Sequence, residues 1–147
     1  MSLREEKFLA LASIDYADMS IDELRVLFRR TLNSGMHGLC SSPYEEGQEP
    51  GDQLTEAQIR RRLEIMKPHT KWIRSFSCTD GNELIPKIAK ELGMKTLVGA
   101  WLGDDPEVNK KELEGLIKLA HQGYVDVAAV GNEVMYRKEL TEDELLE

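Results

Sequence analysis

The sequence predicts an α/β fold of the (β/α)8 TIM-barrel type, present as a half barrel of about four parallel βα units. Three observations carry this expectation. Four short apolar, β-favouring runs each turn abruptly polar at their ends. Between them lie stretches whose apolar residues recur at helical spacing. The runs start near residues 37, 71, 95 and 125, about 24 to 34 residues apart, which is the length of one βαβ repeat. Runs that are apolar on both faces need helices on both sides of a parallel sheet.

Residues 1–19 show no clear strand period and are read as an N-terminal extension, with residues 20–147 as the half barrel. Ser20 with Glu23 forms a capping-box pattern ahead of Leu24, Leu27, Phe28 and Leu32, predicting a helix over about 21–33. Gly35 ends it, and residues 36–40 read as a buried strand that runs into the Gly-, Pro- and Ser-rich loop 41–52. Thr55 caps a second helix with Ile59, Leu63 and Met66 on one face, stopped by Pro68. Residues 71–76 alternate as a strand, Thr79-Asp80-Gly81 makes a turn, and Leu84, Ile85, Ile88, Ala89 and Leu92 mark a helix up to Gly93. Residues 95–101 form an almost wholly apolar strand. Asp105-Pro106 then opens a helix with Leu113, Leu116, Ile117 and Ala120 inward. Residues 124–130 make a fourth strand, and Thr141-Glu142-Asp143-Glu144 caps a last helix that has barely begun.

A doubly wound open sheet would fit the same alternation, but it normally carries a phosphate loop after its first strand. Residues 38–47 contain neither GxGxxG nor GxxxxGK[ST]. The net charge of −8, from 27 Asp and Glu against 19 Lys and Arg, argues against nucleic acid as a partner, whose affinity would come from basic side chains. No apolar run approaches the roughly 20 residues that span a bilayer, and residues 1–10 lack a signal-like start. A cytoplasmic location without membrane association is expected. Cys40 and Cys78 fit no disulfide framework or metal motif and read as buried free thiols. His37, His69 and His121 are scattered without i, i+4 pairing, so no metal and no cofactor is expected.

In a barrel the chemistry gathers where each strand turns polar. Those segments hold Tyr44, Phe76 and Trp101 beside Asp80, Asn132 and Glu133, a mixture of flat apolar surfaces and hydrogen-bonding groups that suits sugars. In Val130-Gly131-Asn132-Glu133-Val134 an apolar strand delivers a carboxyl next to an amide. Glu133 is then a general acid whose pKa is expected to be raised by partial burial or by a second carboxylate, and Asn132 a hydrogen-bonding neighbour. A turn capped by the Asn-Glu pair is the structural alternative, as core packing is for Phe76 and Trp101.

The string Val-Gly-Asn-Glu-Val-Met-Tyr-Arg at 130–137 resembles the fourth-strand signature of glycoside hydrolase family 17, whose members act on β-1,3-glucans or mixed β-1,3/1,4-glucans. Gly38-Leu39-Cys40-Ser41-Ser42-Pro43-Tyr44 resembles the first strand of its bacterial branch. Trp72-Ile73-Arg74-Ser75-Phe76-Ser77-Cys78-Thr79-Asp80-Gly81 and Gly99-Ala100-Trp101-Leu102-Gly103 are similar to the next two. The resemblance implies a retaining mechanism with Glu133 as acid/base and Asn132 on the sugar 2-hydroxyl. It further implies that Tyr44, Phe76, Asp80 and Trp101 line a cleft for a β-glucan oligosaccharide.

The nucleophile implied by the family sits on strand seven, and no Thr-Glu-Thr-Gly-Trp-like segment occurs in these 147 residues. Retaining chemistry needs two carboxyls about 5 to 5.5 Å apart. The expectation is therefore a truncated, half-length relative that is inactive alone. A full barrel takes about 250 residues, so a twofold homodimer that closes a barrel from two halves is also expected. A non-catalytic β-glucan-binding scaffold is the alternative reading, and a metal or phosphate enzyme on a similar barrel is the third.

Overall fold

The computed structural model describes residues 16–146. The chain separates into two compact units, Met1–Ser34 and Gly35–Glu147. The extension expected over residues 1–19 lies mostly outside the described residues. In the first unit, helix α1 (Ile21–Asn33) starts at the expected capping box: Ser20 Oγ accepts from the Glu23 amide, and the Glu23 carboxylate accepts from the Ser20 amide at 2.8 Å. None of the helix residues is buried.

The second unit carries strands β1 (Met36–Cys40), β2 (Thr70–Ser75), β3 (Lys95–Ala100) and β4 (Val127–Val130). They alternate with helices α2 (Glu56–Met66), α3 (Leu84–Glu91), α4 (Pro106–His121) and the short α5 (Glu142–Leu146). The strands pair in parallel in the order β1-β2-β3-β4, one open sheet of the α/β type, as the alternation of apolar runs and amphipathic stretches requires.

One face of this sheet is packed by helices. Ile73 of β2 meets Ile59 and Leu63 of α2 and Ile85, Ile88 and Ala89 of α3 in one cluster. Val98 and Ala100 of β3 meet Leu116 and Leu119 of α4 in a second. Each fully buried Leu, Ile or Val contributes about 1.5–3 kcal/mol by leaving water. The register places Gly38, Trp72 and Lys95 side by side on the other face, and Leu97 beside Val127. Gly38 is needed there because a Cβ would stand 3.0 Å from Trp72 Cβ. Trp72 is half-buried and Val127 exposed, and among the described residues of the second unit the helices α2, α3 and α4 supply the buried clusters on the first face.

Four details depart from the sequence reading. Strand β1, expected to be buried, has no buried residue, since it stands at the edge of the described sheet with β2 as its neighbour. Strand β4 begins at Val127 rather than 124, because the preceding backbone is used elsewhere. The Tyr124 amide closes α4 on the Leu119 carbonyl, and its carbonyl accepts from Thr96 Oγ1 at 2.6 Å. The inward stripe of α4 is Glu112, Leu116 and Leu119, whereas Ile117 and Ala120 are exposed. The i, i+4, i+7 line facing the sheet includes a carboxylate because its hydrogen-bond donors come from strand-end backbone and hydroxyls. Cys40 is exposed, unlike the buried Cys78, because the register puts it opposite Arg74, on the face away from the Ile73 and Val98 clusters.

Candidate functional site

Four loops at the C-terminal ends of the strands build one rim. The loop after β1 is pinned to α2 by Gln58 Nε2 on the Pro43 carbonyl at 2.7 Å and by Arg62 on the Tyr44 carbonyl at 2.8 Å. Tyr44 is thereby held half-buried, with its hydroxyl accepting from Asn82 Nδ2 at 3.3 Å. The loop after β2 turns back through Asp80 (φ 55°) and Gly81 (φ 89°). A side chain at Gly81 would strike the Leu54 carbonyl at 2.6 Å, which is why the Thr79-Asp80-Gly81 turn needs glycine there. The loop after β3 is clamped by Asn109, whose amide both accepts from the Gly103 N–H at 2.8 Å and donates to its carbonyl at 2.7 Å.

The rim encloses a cleft of about 470 Å³. Tyr44, Phe76, Asp80, Trp101 and Asn132 all line it, so five of the six residues singled out in the sequence stand around one concavity. Glu133, the sixth, is exposed and is not among its lining residues. The partial burial expected of the acid is absent from this chain. Its backbone has φ 55°, a left-handed conformation that costs a non-glycine residue on the order of 1 kcal/mol or more. Asp80 shares that feature, and Lys138 is the third such residue among those described.

Three charged residues that sequence reasoning passed over hold this arrangement. Arg74, on β2, donates to Asn132 Oδ1 at 2.7 Å and lies over the Phe76 ring at 4.5 Å. Arg137 donates to the carbonyls of Asn132 and Leu102, pairs with Glu139 at 2.6 Å, and lies over the Trp101 ring at 4.3 Å. The Glu139 bond raises the Arg137 pKa, helped by the Glu139 and Glu133 charges and opposed by desolvation. The same ion pair lowers the Glu139 pKa. Glu112, the third, is buried with both oxygens occupied: Ser77 Oγ and Thr79 Oγ1 donate to one, and the Cys78 and Trp101 amides to the other. Burial beside Glu112 and Glu83 pushes the Cys78 thiol up to about 12, so it is not a nucleophile near neutral pH. The signal for Glu112 was present in the sequence, as an acid in register with Leu116 and Leu119. Nothing comparable marks Arg74, which reaches Asn132 after β4, or Arg137, which reaches the Leu102 carbonyl and the Trp101 ring after β3.

Among the described residues no three His, Cys, Asp or Glu side chains group as metal ligands, and no helix is long and apolar enough to cross a membrane.

Known proteins are similar to this chain in sequence and in architecture. A glucan 1,3-beta-glucosidase of Candida albicans is 30% identical over 87 residues, covering 56% of this chain and 28% of its own length. One from Schizosaccharomyces pombe is 26% identical over 147 residues, covering 95% of this chain and 46% of its own. The chain thus spans less than half the length of these curated relatives. The crystal structure of a glycoside hydrolase family 17 beta-1,3-glucanosyltransferase from Rhizomucor miehei superposes with a TM-score of 0.59 at 24% identity, over 74% of this chain and 41% of that one. An active-site mutant of that enzyme, in complex with laminaritriose, superposes equally well. The four-stranded sheet is accordingly a partial barrel. The sequence model of the BtgE/BtgC glycoside hydrolase domain matches residues 38–147, and the chain belongs to that family.

Proposed function

We propose that this chain forms the acid/base side of a β-1,3-glucan site, with Glu133 as acid/base and Asn132 as the neighbour that binds a sugar hydroxyl. The observation that carries the reading is the gathering of Tyr44, Phe76, Trp101, Asp80 and Asn132 around one cleft at the strand ends, next to Glu133 on a left-handed backbone. Flat rings with interspersed polar groups match the alternating apolar and hydroxyl-bearing surfaces of a pyranose. Because Arg74 occupies Asn132 Oδ1, the NH2 is the part of that side chain that would donate to a sugar hydroxyl. The curated relatives named as glucan 1,3-beta-glucosidases and the solved neighbour holding laminaritriose support β-1,3-linked glucose as the substrate class.

By itself the chain is proposed to bind glucan without hydrolysing it. A retaining pair needs a second carboxyl about 5 to 5.5 Å from the first. Glu112, the buried carboxylate of the cleft, has both oxygens saturated by four donors and cannot serve as a nucleophile. Among the described residues the strands β1 and β4 each have a single neighbour in the sheet, and Val127 and Val130 of β4 are exposed. Unpaired edges of this kind favour association, and a twofold dimer that joins β4 of each copy to β1 of the other is the proposed form. The cytoplasm is the proposed location.

The test is sugar release from a linear β-1,3-glucan together with laminaritriose binding, for the native chain and Glu133→Gln. Binding by both proteins with no released sugar is the expected result. Sugar release that disappears in Glu133→Gln would show that a second carboxylate completes the pair, and inactivity would be wrong.

A further inference from the structure

We propose that Glu112 is a positioning residue for this cleft: its carboxylate, acting as a hydrogen-bond acceptor rather than as a charge, fixes the loops after β2 and β3 to one another and so sets where Trp101 stands. The proposal rests on the glucan-binding reading of the site.

Glu112 belongs to α4 and is 2% exposed, yet it is the only acidic residue in the buried set of the described chain. A buried carboxylate is costly unless hydrogen bonds replace its water. Here four donors do so, and none of the partners is a cation. Ser77 Oγ at 2.6 Å and Thr79 Oγ1 at 2.7 Å donate to Oε1, while the amides of Cys78 at 2.7 Å and Trp101 at 3.1 Å donate to Oε2. Three donors come from the loop after β2 and one from the end of β3. One side chain on a helix thus ties together the two loops that carry Phe76 and Trp101 into the cleft, and Glu112 itself lines the cleft between them.

The division of donors between the two oxygens makes the idea sharp. The amides facing Oε2 can only donate, so they require an acceptor there. The hydroxyls facing Oε1 can rotate and accept instead. A glutamine with its oxygen toward the amides and its NH2 toward the hydroxyls retains all four contacts. If the clamp works as an acceptor, Glu112→Gln preserves it. Glu112→Met, similar in length but without an acceptor, leaves the Cys78 and Trp101 amides unpaired. Glu112→Asp retains the charge but withdraws it by one methylene from both.

The experiment is amide hydrogen exchange of the full chain, read at Cys78 and Trp101 and at Ile73 and Val98 as core references, with laminaritriose affinity on the same samples. In Glu112→Gln both amides and the affinity are expected to stay within about threefold of the native chain. In Glu112→Met they are expected to exchange about tenfold faster or more while the core references hold, with affinity weakened about tenfold. Should Glu112→Met lose core protection, Glu112→Asp takes its place with the same expectation. The proposal is overturned if Glu112→Gln loosens the two amides as the disruptive variant does, since charge would then be the agent. It is equally overturned if a folded Met or Asp variant leaves the two amides or the affinity unchanged. Failure of the native chain to bind laminaritriose would sink the glucan reading instead, and the exchange ratios would still decide the clamp.

Discussion

At single residues, the cleft depends on close approaches that admit no alternative side chain. Gly115 sits in the middle of α4, where alanine would be favoured by about 1 kcal/mol on helix propensity alone. A Cβ there, however, would meet Cys78 Cβ at 2.8 Å and the Cys78 carbonyl oxygen at 2.9 Å. The neighbour is backbone held by Glu112, so it cannot move aside cheaply. Gly115→Ala is therefore expected to destabilise the fold by about 1–3 kcal/mol in spite of its helix propensity, as checked by urea denaturation. An unchanged or higher midpoint would mean that the loop after β2 is free to shift. Arg74 and Arg137 work in the same way across strands, each joining an aromatic ring of the cleft to Asn132.

Among the elements, β3 and β4 are fastened at their starts by Asp126, whose carboxylate accepts from Lys90 Nζ at 2.6 Å and the Thr96 amide at 2.7 Å. The bond from Lys90 is the first cause of its lowered pKa; the Thr96 bonds add to it, and desolvation opposes it. The folded state therefore binds the Asp126 proton less readily than the unfolded chain. The resulting stability is fully present above the ordinary aspartate pKa of about 4 and is lost as pH falls through the lowered folded value. Both partners are partly exposed, which limits the contribution to about 1 kcal/mol or less. Asp126→Asn should lower stability at pH 7 and flatten its fall below pH 4, in denaturation curves taken between pH 2.5 and 7. An unchanged acid limb would place the responsible carboxylate elsewhere.

At the scale of the whole chain, the sheet of the described residues has β4 at its edge, with Val127 and Val130 exposed. The proposed association through β4 predicts a mass by light scattering that rises toward twice the monomer with concentration. Val127→Lys, with a charge on that edge, should hold the chain at monomer mass while leaving the helix-facing clusters and laminaritriose binding in place. A native chain that remains a folded monomer at every concentration would rule the dimer out.

The sequence alone determined the order of elements, the parallel α/β sheet and the strand-end position of the cleft residues. These follow from local periods, caps and turns: Ser20 with Glu23, Pro68, and Asp105-Pro106 all act within a few residues of themselves. The five lining residues were legible because each lies where an apolar run turns polar. What only the tertiary structure decided is which side chains hold the cleft open and where Glu133 stands relative to it. Arg74 reaches Asn132 across 58 positions of sequence, and Glu112 reaches Cys78 across 34. Such partners leave no local period to read, and α4 carries its buried carboxylate inward only because donors from β2 and β3 converge on it. The exposure of Glu133 has the same origin, for burial at a strand end is set by the neighbouring loops and not by the strand that delivers the residue.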